Sequence, residues 1–280
     1  MTSIATSLRT AERTLEGRSD SPRLDAELLL GKVLELSRSA LIVRAADPIA
    51  DESQLAYEHL ICARAEGAPI AYLTGAREFW SMELTVTPDV LVPRPETEVL
   101  VELALELLPE EAARSVLDLG TGSGAIALAI ARERPRVRMT GIDVSERALA
   151  VAAANAGKLG LQQIQWRVGS WLDAVPGERF DMIVANPPYI AADDPALARL
   201  DAEPALALTS GPTGLEALSC IVDCAAEHLN PHGWLLLEHG SGQAQAVAGM
   251  LERSGFSGIR SHADYSGKPR VTLGTVYSQC

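Results

Sequence analysis

Asn186, Pro187, Pro188 and Tyr189 follow directly on an apolar run, Met182 to Ala185, and together they offer what a planar nitrogen needs in order to react. An amide or exocyclic amino nitrogen is a poor nucleophile because its lone pair is delocalised. A site that uses one must orient the nitrogen and favour its rehybridisation toward an electrophile. The Asn186 side-chain oxygen and the Pro187 carbonyl can each accept one N–H, which leaves the lone pair directed at the incoming group. Proline fixes backbone torsions and removes competing N–H donors, while the Tyr189 ring offers a flat face to a planar acceptor. No base is required beforehand, since the surplus proton leaves after transfer, and orientation can supply up to roughly 7 to 11 kcal/mol. Asn186 and Pro187 are therefore the expected catalytic residues, and Asn186 to Tyr189 the expected substrate clamp. A proline-rich loop that simply ends a strand is the plainer alternative.

Upstream, Asp118-Leu119-Gly120-Thr121-Gly122-Ser123-Gly124 stands where a strand gives way to a helix, and its glycines let backbone turn sharply and approach a ligand. Asp143 comes 23 residues after Gly120, at the end of the next strand. A carboxylate there can accept hydrogen bonds from both hydroxyls of an adenosine ribose, or cap the helix that follows at Ser145 and Glu146. The spacing Gly-x-Gly-x-Gly, in place of Gly-x-Gly-x-x-Gly, points to S-adenosylmethionine and away from a dinucleotide, whose pyrophosphate needs the helix N-terminus. Trp171 either walls the adenine by stacking or packs in the core. Glu238-His239-Gly240 reads as a strand exit with no catalytic role.

These loops need a scaffold that brings strand ends together. After residue 113 the pattern alternates: Ser115 to Leu119, a helix to Arg132, Val137 to Asp143, a helix to Lys158, Ile164 to Val168, then Phe180 to Ala185. That order predicts an α/β, Rossmann-like, mostly parallel sheet covered by helices. A helix from Thr213, a buried strand Trp234 to Glu238, and two β-rich pieces, Gly258 to Ala263 and Arg270 to Val276, add an antiparallel terminal hairpin. The N-terminal residues read as a small helical bundle. Leu24, Leu28 and Leu29 recur at helical spacing behind Ser21-Pro22, while Leu55, Leu60 and Ala63 share a face behind Asp51, with Gly67 beyond Arg64. Phe79, Met82, Leu84 and Val86 predict a hairpin within Ala71 to Pro88, and the prolines of Val92 to Thr97 predict an extended segment launching a helix from about Glu96 to Leu108. The expected domains are residues 1–70, a helical bundle; 71–88, a linking hairpin; and 89–280, the cofactor-binding domain.

Composition narrows the partners. Hydrophobic residues make up 47% and charged residues 22%, and no apolar run is longer than Ala125 to Ala131, which is far too short to span a bilayer. The N-terminal residues lack the basic start and apolar stretch of a secretory signal, so the cytoplasm is the expected location. A formal charge of −13, with no run of Lys and Arg, argues against gripping a nucleic-acid backbone. Cys62, Cys220, Cys224 and Cys280, with the five scattered histidines, form no metal-binding pattern, so no metal is expected.

Pro69 to Gly75 with Glu78-Phe79-Trp80, Pro93-Arg94-Pro95-Glu96-Thr97-Glu98, Asp118 to Gly124, Asn186 to Tyr189, and Arg270-Val271-Thr272-Leu273-Gly274 together resemble one family along nearly the whole chain: the peptide chain release factor glutamine methyltransferases, the bacterial PrmC (HemK) family. Asn-Pro-Pro-Tyr alone is shared with DNA amino-methyltransferases; the Pro-Arg-Pro-Glu-Thr-Glu segment and the helical N-terminal part narrow the resemblance. It implies methyl transfer from S-adenosylmethionine to the side-chain amide of the glutamine in the Gly-Gly-Gln loop of translation release factors, with the helical part helping to dock that protein. Carried over by position, it implies cofactor contacts at Gly120, Thr121, Gly122, Ser123, Gly124, Asp143, Trp171 and Asn186. Many relatives have an acidic residue before the tryptophan, where this chain has Ser170, which leaves Trp171 as the expected adenine contact.

Other readings compete. A DNA adenine methyltransferase would use the same clamp but must also flip a base and hold phosphates, against the net charge. A nicotinamide dehydrogenase would use Gly120 and Asp143 but gives Asn-Pro-Pro-Tyr no purpose. A silent binding module would keep the cofactor pocket and dock a partner. A monomer is expected, because a single-substrate clamp has no evident need of a symmetric partner.

Overall fold

Helix α1 (Ile4–Leu15) starts where the Ser3 hydroxyl accepts the Thr6 N–H, and α2 (Pro22–Leu34) starts at a proline, which fills a first-turn position that needs no donor. Helices α3 (Arg38–Val43), α4 (Asp51–Ala65) and α5 (Ile70–Thr74) follow. The computed structural model describes residues 2–277, except for the side chain of Arg199; Met1 and residues 278–280, among them Cys280, lie outside the described residues. Two compact units emerge, Met1–Ala76 and Arg77–Cys280.

The first unit buries Ile4, Leu8, Leu15, Ala26, Leu29, Leu30, Leu41, Ile49, Tyr57 and Ile61. Helices α2 and α4 stand where helices were expected, but their buried faces differ from the expected ones. Leu24 and Leu55 are exposed, and the core faces are instead Ala26, Leu29 and Leu30 on α2 and Tyr57 and Ile61 on α4. Paired charge explains the difference in α2. Asp25 is buried because it accepts from Arg64 Nε at 2.6 Å and from the Ser19 and Ser21 hydroxyls, while Glu27 takes Arg23 and Arg38. Residues 71–74, expected among the alternating runs, belong to the helix that starts at Ile70: Ile70 and Leu73 pack on this core, and the Thr74 hydroxyl donates to the Ile70 carbonyl at 3.0 Å.

The second unit opens with a hairpin, β1 (Ala76–Phe79) and β2 (Met82–Thr85), which buries Phe79, Met82 and Leu84. Pro95–Thr97 then forms a 3-10 turn where an extended segment was expected. A proline restricts the residue before it and tolerates a helical start after it, so Arg94 stays extended while Pro95 begins the turn that runs into α6 (Glu98–Leu107). The alternating series follows: β3 (Ser115–Leu119), α7 (Ala125–Glu133), β4 (Arg138–Asp143), α8 (Glu146–Leu159), β5 (Gln165–Val168), β6 (Phe180–Ala185), α9 (Glu216–Ala225), β7 (Leu229–Glu238), α10 (Ala244–Arg253), β8 (Ser257–Ala263) and β9 (Pro269–Thr275).

The seven-stranded sheet has the order β5-β4-β3-β6-β7-β9-β8. Pairings from β5 through β7 are parallel, and β9 is antiparallel to both β7 and β8. Alternate residues of each central strand enter opposite cores, so both faces must be covered. Val116, Met182, Val184 and Leu236 pack with α6, α7 and α8; Leu117, Ile183, Ala185, Leu235 and Leu237 pack with α9 and α10.

Candidate active site

Strand β3 is the point from which the chain winds both ways, with β4 and β5 on one side and β6 and β7 on the other. Loops leaving adjacent strands at such a reversal diverge and open a crevice at the carboxyl edge of the sheet. Leu119 is paired with Ala185, so the Gly120–Gly124 turn and the Asn186–Tyr189 loop leave the sheet side by side. A cavity of about 510 Å³ lies over them, lined by Gly120, Thr121, Gly122, Ser123, Asp143, Ser170, Trp171, Asn186 and Pro188. Gly124, Pro187 and Tyr189 are not on its wall. Gly124 packs at the start of α7 against Leu128, Ala152 and Trp166, and Pro187 is buried. Tyr189 lines a neighbouring cavity of about 70 Å³ that it shares with Asn186, Leu91 and Arg94.

The glycine turn has the shape of a cradle. Gly122 has φ +56°, and a β-carbon there would meet no described atom within 4 Å, because it would project into the cavity. Asp143 Oδ2 accepts the Gly122 N–H at 2.9 Å, and Oδ1 accepts the Ser145 N–H at 2.9 Å. The helix-cap duty falls instead to Ser145, whose hydroxyl accepts the Ala148 N–H at 3.2 Å. Asp143 thus stands fixed on the cavity wall with lone pairs to spare for hydroxyl donors. Trp171 lines the cavity, its ring beside Gly120, and is packed against the core cluster that contains Leu172. It holds φ +45°, an uncommon backbone state for a bulky residue, at the start of a 3-10 turn.

At the clamp, the Asn186 Nδ2–H donates to Thr97 Oγ1 at 3.2 Å. One of the two amide N–H groups is thereby occupied, and Oδ1 remains an acceptor that a ligand can use. Behind them Glu238 is fully buried, and burial pushes its carboxyl up to about 7; the Thr97 hydroxyl, the charge of Arg270 and the Tyr189 hydroxyl pull it partly back. Neither Glu238 oxygen receives a well-formed hydrogen bond. Burial, with the Glu238 charge second, raises the Tyr189 phenol to about 12, so it remains a neutral donor. Asp118 is likewise buried and raised by that burial to about 7, with the Thr121 hydroxyl donating to it at 2.6 Å and the Ala127 backbone pulling it partly back. His239 is held neutral by burial, its ring nitrogens bonded to the Gly240 carbonyl and the Thr272 hydroxyl, so it has no proton chemistry to offer.

The spacing of motifs did not reveal three features of this site. Pro204, Leu206, Ala207, Thr209 and Ser210, in the long connection between β6 and α9, form one wall of the cavity. That connection is tied down by Glu203, which pairs with Arg94 and accepts the Val92 N–H at 3.1 Å. Thr97 and Glu238 stand behind the clamp. The signal for Arg94 and Thr97 lay in Pro-Arg-Pro-Glu-Thr-Glu; Glu203 and Glu238 carried none beyond an acidic residue in an apolar setting. Among the described residues no group of His, Cys, Asp and Glu is placed to hold a metal ion.

The methyltransferase small domain matches residues 97–211, and the PrmC N-terminal domain matches residues 6–75. The chain is 47% identical to the release factor glutamine methyltransferase of Salmonella typhimurium over 91% of its length and 93% of that protein. It is 44% identical to the Pseudomonas aeruginosa protein of the same name, over 98% and 99%. Among solved structures, the T. thermophilus 16S rRNA N2 G1207 methyltransferase RsmC, in complex with AdoMet and guanosine, superposes with a TM-score of 0.54 at 22% identity, covering 72% of this chain and 49% of that one; it shares the fold. With relatives this similar along nearly its full length, the chain belongs to the release factor glutamine methyltransferase family.

Proposed function

We propose that this protein methylates the side-chain amide nitrogen of the glutamine in the Gly-Gly-Gln motif of translation release factors, with S-adenosylmethionine as donor. One observation supports the reading: Asn186 and Pro188 line the same cavity as Gly120 to Ser123 of the glycine turn, and the Asn186 amide donates one N–H to Thr97. The cradle fits the donor, since the open side of Gly122 admits backbone contact and Asp143 is positioned for ribose hydroxyls. Gly120, Thr121, Gly122, Ser123, Gly124, Asp143, Trp171 and Asn186 are the residues assigned to it. When bound, S-adenosylmethionine supplies an electrophilic methyl group on a sulfonium.

The protein's own contribution is orientation. The Asn186 Oδ1 and the Pro187 carbonyl each accept one amide N–H of the glutamine, which localises the nitrogen lone pair on the face turned toward the cofactor. Pro188 stiffens the loop, and Tyr189 bounds the space for the planar acceptor. The amide proton is lost after transfer, when the nitrogen has become acidic, so no base need precede it.

The functional division we propose assigns residues 1–70 to release-factor docking, 71–88 to linkage and 89–280 to methyl transfer. Among the described residues no helix is long and apolar enough to cross a membrane. The formal charge of −13 favours a protein partner over direct contact with DNA. We place the reaction in the cytoplasm, where release factors work, and assign it to a single copy of the chain. The test is incubation with radiolabelled S-adenosylmethionine and a release factor, beside a copy whose Gly-Gly-Gln glutamine is replaced. Label on the intact factor alone is expected; label on both, or on neither while the cofactor binds, would overturn the assignment.

A further inference from the structure

The side-chain amide of Asn186 is useful only one way round. With Oδ1 toward the acceptor nitrogen it accepts a proton; turned over, it presents Nδ2–H and repels the N–H it should hold. An asparagine amide is nearly symmetric in shape, so its orientation must be set by its neighbours. The neighbour is Thr97, buried at the end of the 3-10 turn, whose Oγ1 lies 3.2 Å from Asn186 Nδ2. A hydroxyl can donate as well as accept and would tolerate either end of the amide, unless its single proton is committed elsewhere.

The geometry points to Glu238 as the acceptor of that proton: we propose that Glu238 and Thr97 are positioning residues that fix which end of the Asn186 amide faces the acceptor. Glu238 ends β7, fully buried, and neither of its oxygens has a hydrogen-bond partner among the described residues, while the Thr97 and Tyr189 hydroxyls are the side-chain donors that lower its carboxyl. Arg270 on β9 lends charge, but its guanidinium is occupied by Asp264 and the His239 carbonyl. With its proton given to Glu238, Thr97 can only accept, so Asn186 must offer Nδ2 and keep Oδ1 free. The Tyr189 hydroxyl approaches the same carboxylate, so one buried acid governs both ends of the four-residue clamp. The charges facing it are Arg270 from β9 and Glu96 from the 3-10 turn; burial and Glu96 favour its protonation and Arg270 opposes it.

The inference rests on the proposed methylation of a glutamine amide, and its test has one readout that does not. Thr97→Val keeps the shape and removes the hydroxyl. Its kcat on a release factor should fall about 10- to 100-fold with little change in KM or cofactor affinity, and Thr97→Ser should restore most of it. Glu238→Gln should also lower kcat, and the double variant Thr97→Val, Glu238→Gln should be no slower than Thr97→Val alone, because the two act in one chain. Equal losses in Thr97→Ser and Thr97→Val, or losses that multiply in the double variant, would overturn the proposal. Independently of turnover, the Asn186 side-chain amide resonances of the cofactor-loaded protein should shift between about pH 5 and pH 9 in the unsubstituted chain and not in Glu238→Gln. Resonances that ignore both substitutions would sink the relay even if methylation proceeds; absence of methylation in the unsubstituted chain, with those shifts present, would instead count against the substrate assignment alone.

Discussion

Replacing Gly122 with alanine separates what the glycine cradle does for the fold from what it does for the ligand, provided Gly160→Ala is made beside it. Both glycines are left-handed, with φ +56° and +74°, and at both a β-carbon would meet no described atom within 4 Å. The backbone cost of a left-handed alanine is about 1 to 2 kcal/mol in each. For a unit of this size that corresponds to a melting temperature lower by roughly 2 to 8 °C. Only Gly122 lines the cavity; Gly160 caps the far end of α8. A methyl group pushed into space that a ligand occupies costs about 1 to 3 kcal/mol, which weakens binding roughly 5- to 150-fold. Paired thermal melts and calorimetric titrations with S-adenosylhomocysteine should therefore show matched destabilisation and a loss of affinity confined to Gly122→Ala. Matched affinities in the two variants would refute the placement of the cofactor over Gly122.

Asn186→Ala should lower kcat by at least about 100-fold while cofactor affinity is largely kept, as for loss of one oriented polar partner in other active sites; comparable turnover would end the clamp mechanism. Arg94→Met should strip Glu203 of its ion pair while leaving it buried, at a local cost of roughly 3 to 5 kcal/mol. Faster limited proteolysis between residues 190 and 212, relieved by adding Glu203→Leu, is the expected outcome, and unchanged cleavage the contrary one. Stability should also fall as pH rises from about 5 to 8. Asp118 and Glu238 titrate near about 7 when folded against ordinary values of 3.8 and 4.5, so the folded chain holds protons that the unfolded chain has released. Their contribution is complete below the ordinary values and is lost through about 7, roughly 4 kcal/mol for Asp118 and roughly 3 kcal/mol for Glu238. Asp264, held near about 2 by hydrogen bonds from the Ser266 hydroxyl and the Lys268 backbone, acts oppositely, and its contribution is lost only as pH falls below the usual aspartate range. A melting temperature that climbs from pH 5 to 8, or an Asp118→Asn variant with the same slope, would contradict this.

Periodicity and turn chemistry made the sheet domain legible. Ser115 to Leu119 and Phe180 to Ala185 coincide with their strands because both are short, buried and ended by residues that cannot continue them. The helical unit was legible as helices but not as faces: spacing marked Leu24 and Leu55, whereas the charges at Asp25, Glu27 and Arg64, paired across distant positions, turned α2 another way. The site shows the same split. Local motifs gave Gly122, Asp143 and Asn186, which fold places on one cavity. Thr97 joins it from a position far from the Asn186 loop along the chain, and Glu203 from the irregular connection that follows that loop; Glu238 ends its strand as its position implies, but its complete burial is something no short window reveals.

Strand β9, the last strand described, lies between β7 and β8, pairing with both. Until residues 269–275 have been synthesised, β7 presents an open row of backbone donors and acceptors beside Leu235, Leu236 and Leu237, the kind of edge on which chains aggregate. The strand that closes this edge also carries Arg270, whose charge faces Glu238. A growing chain would thus carry the Gly120–Gly124 turn and the Asn186–Tyr189 loop well before it could seal the sheet beneath them, so this edge stays open until β9 has been made and paired.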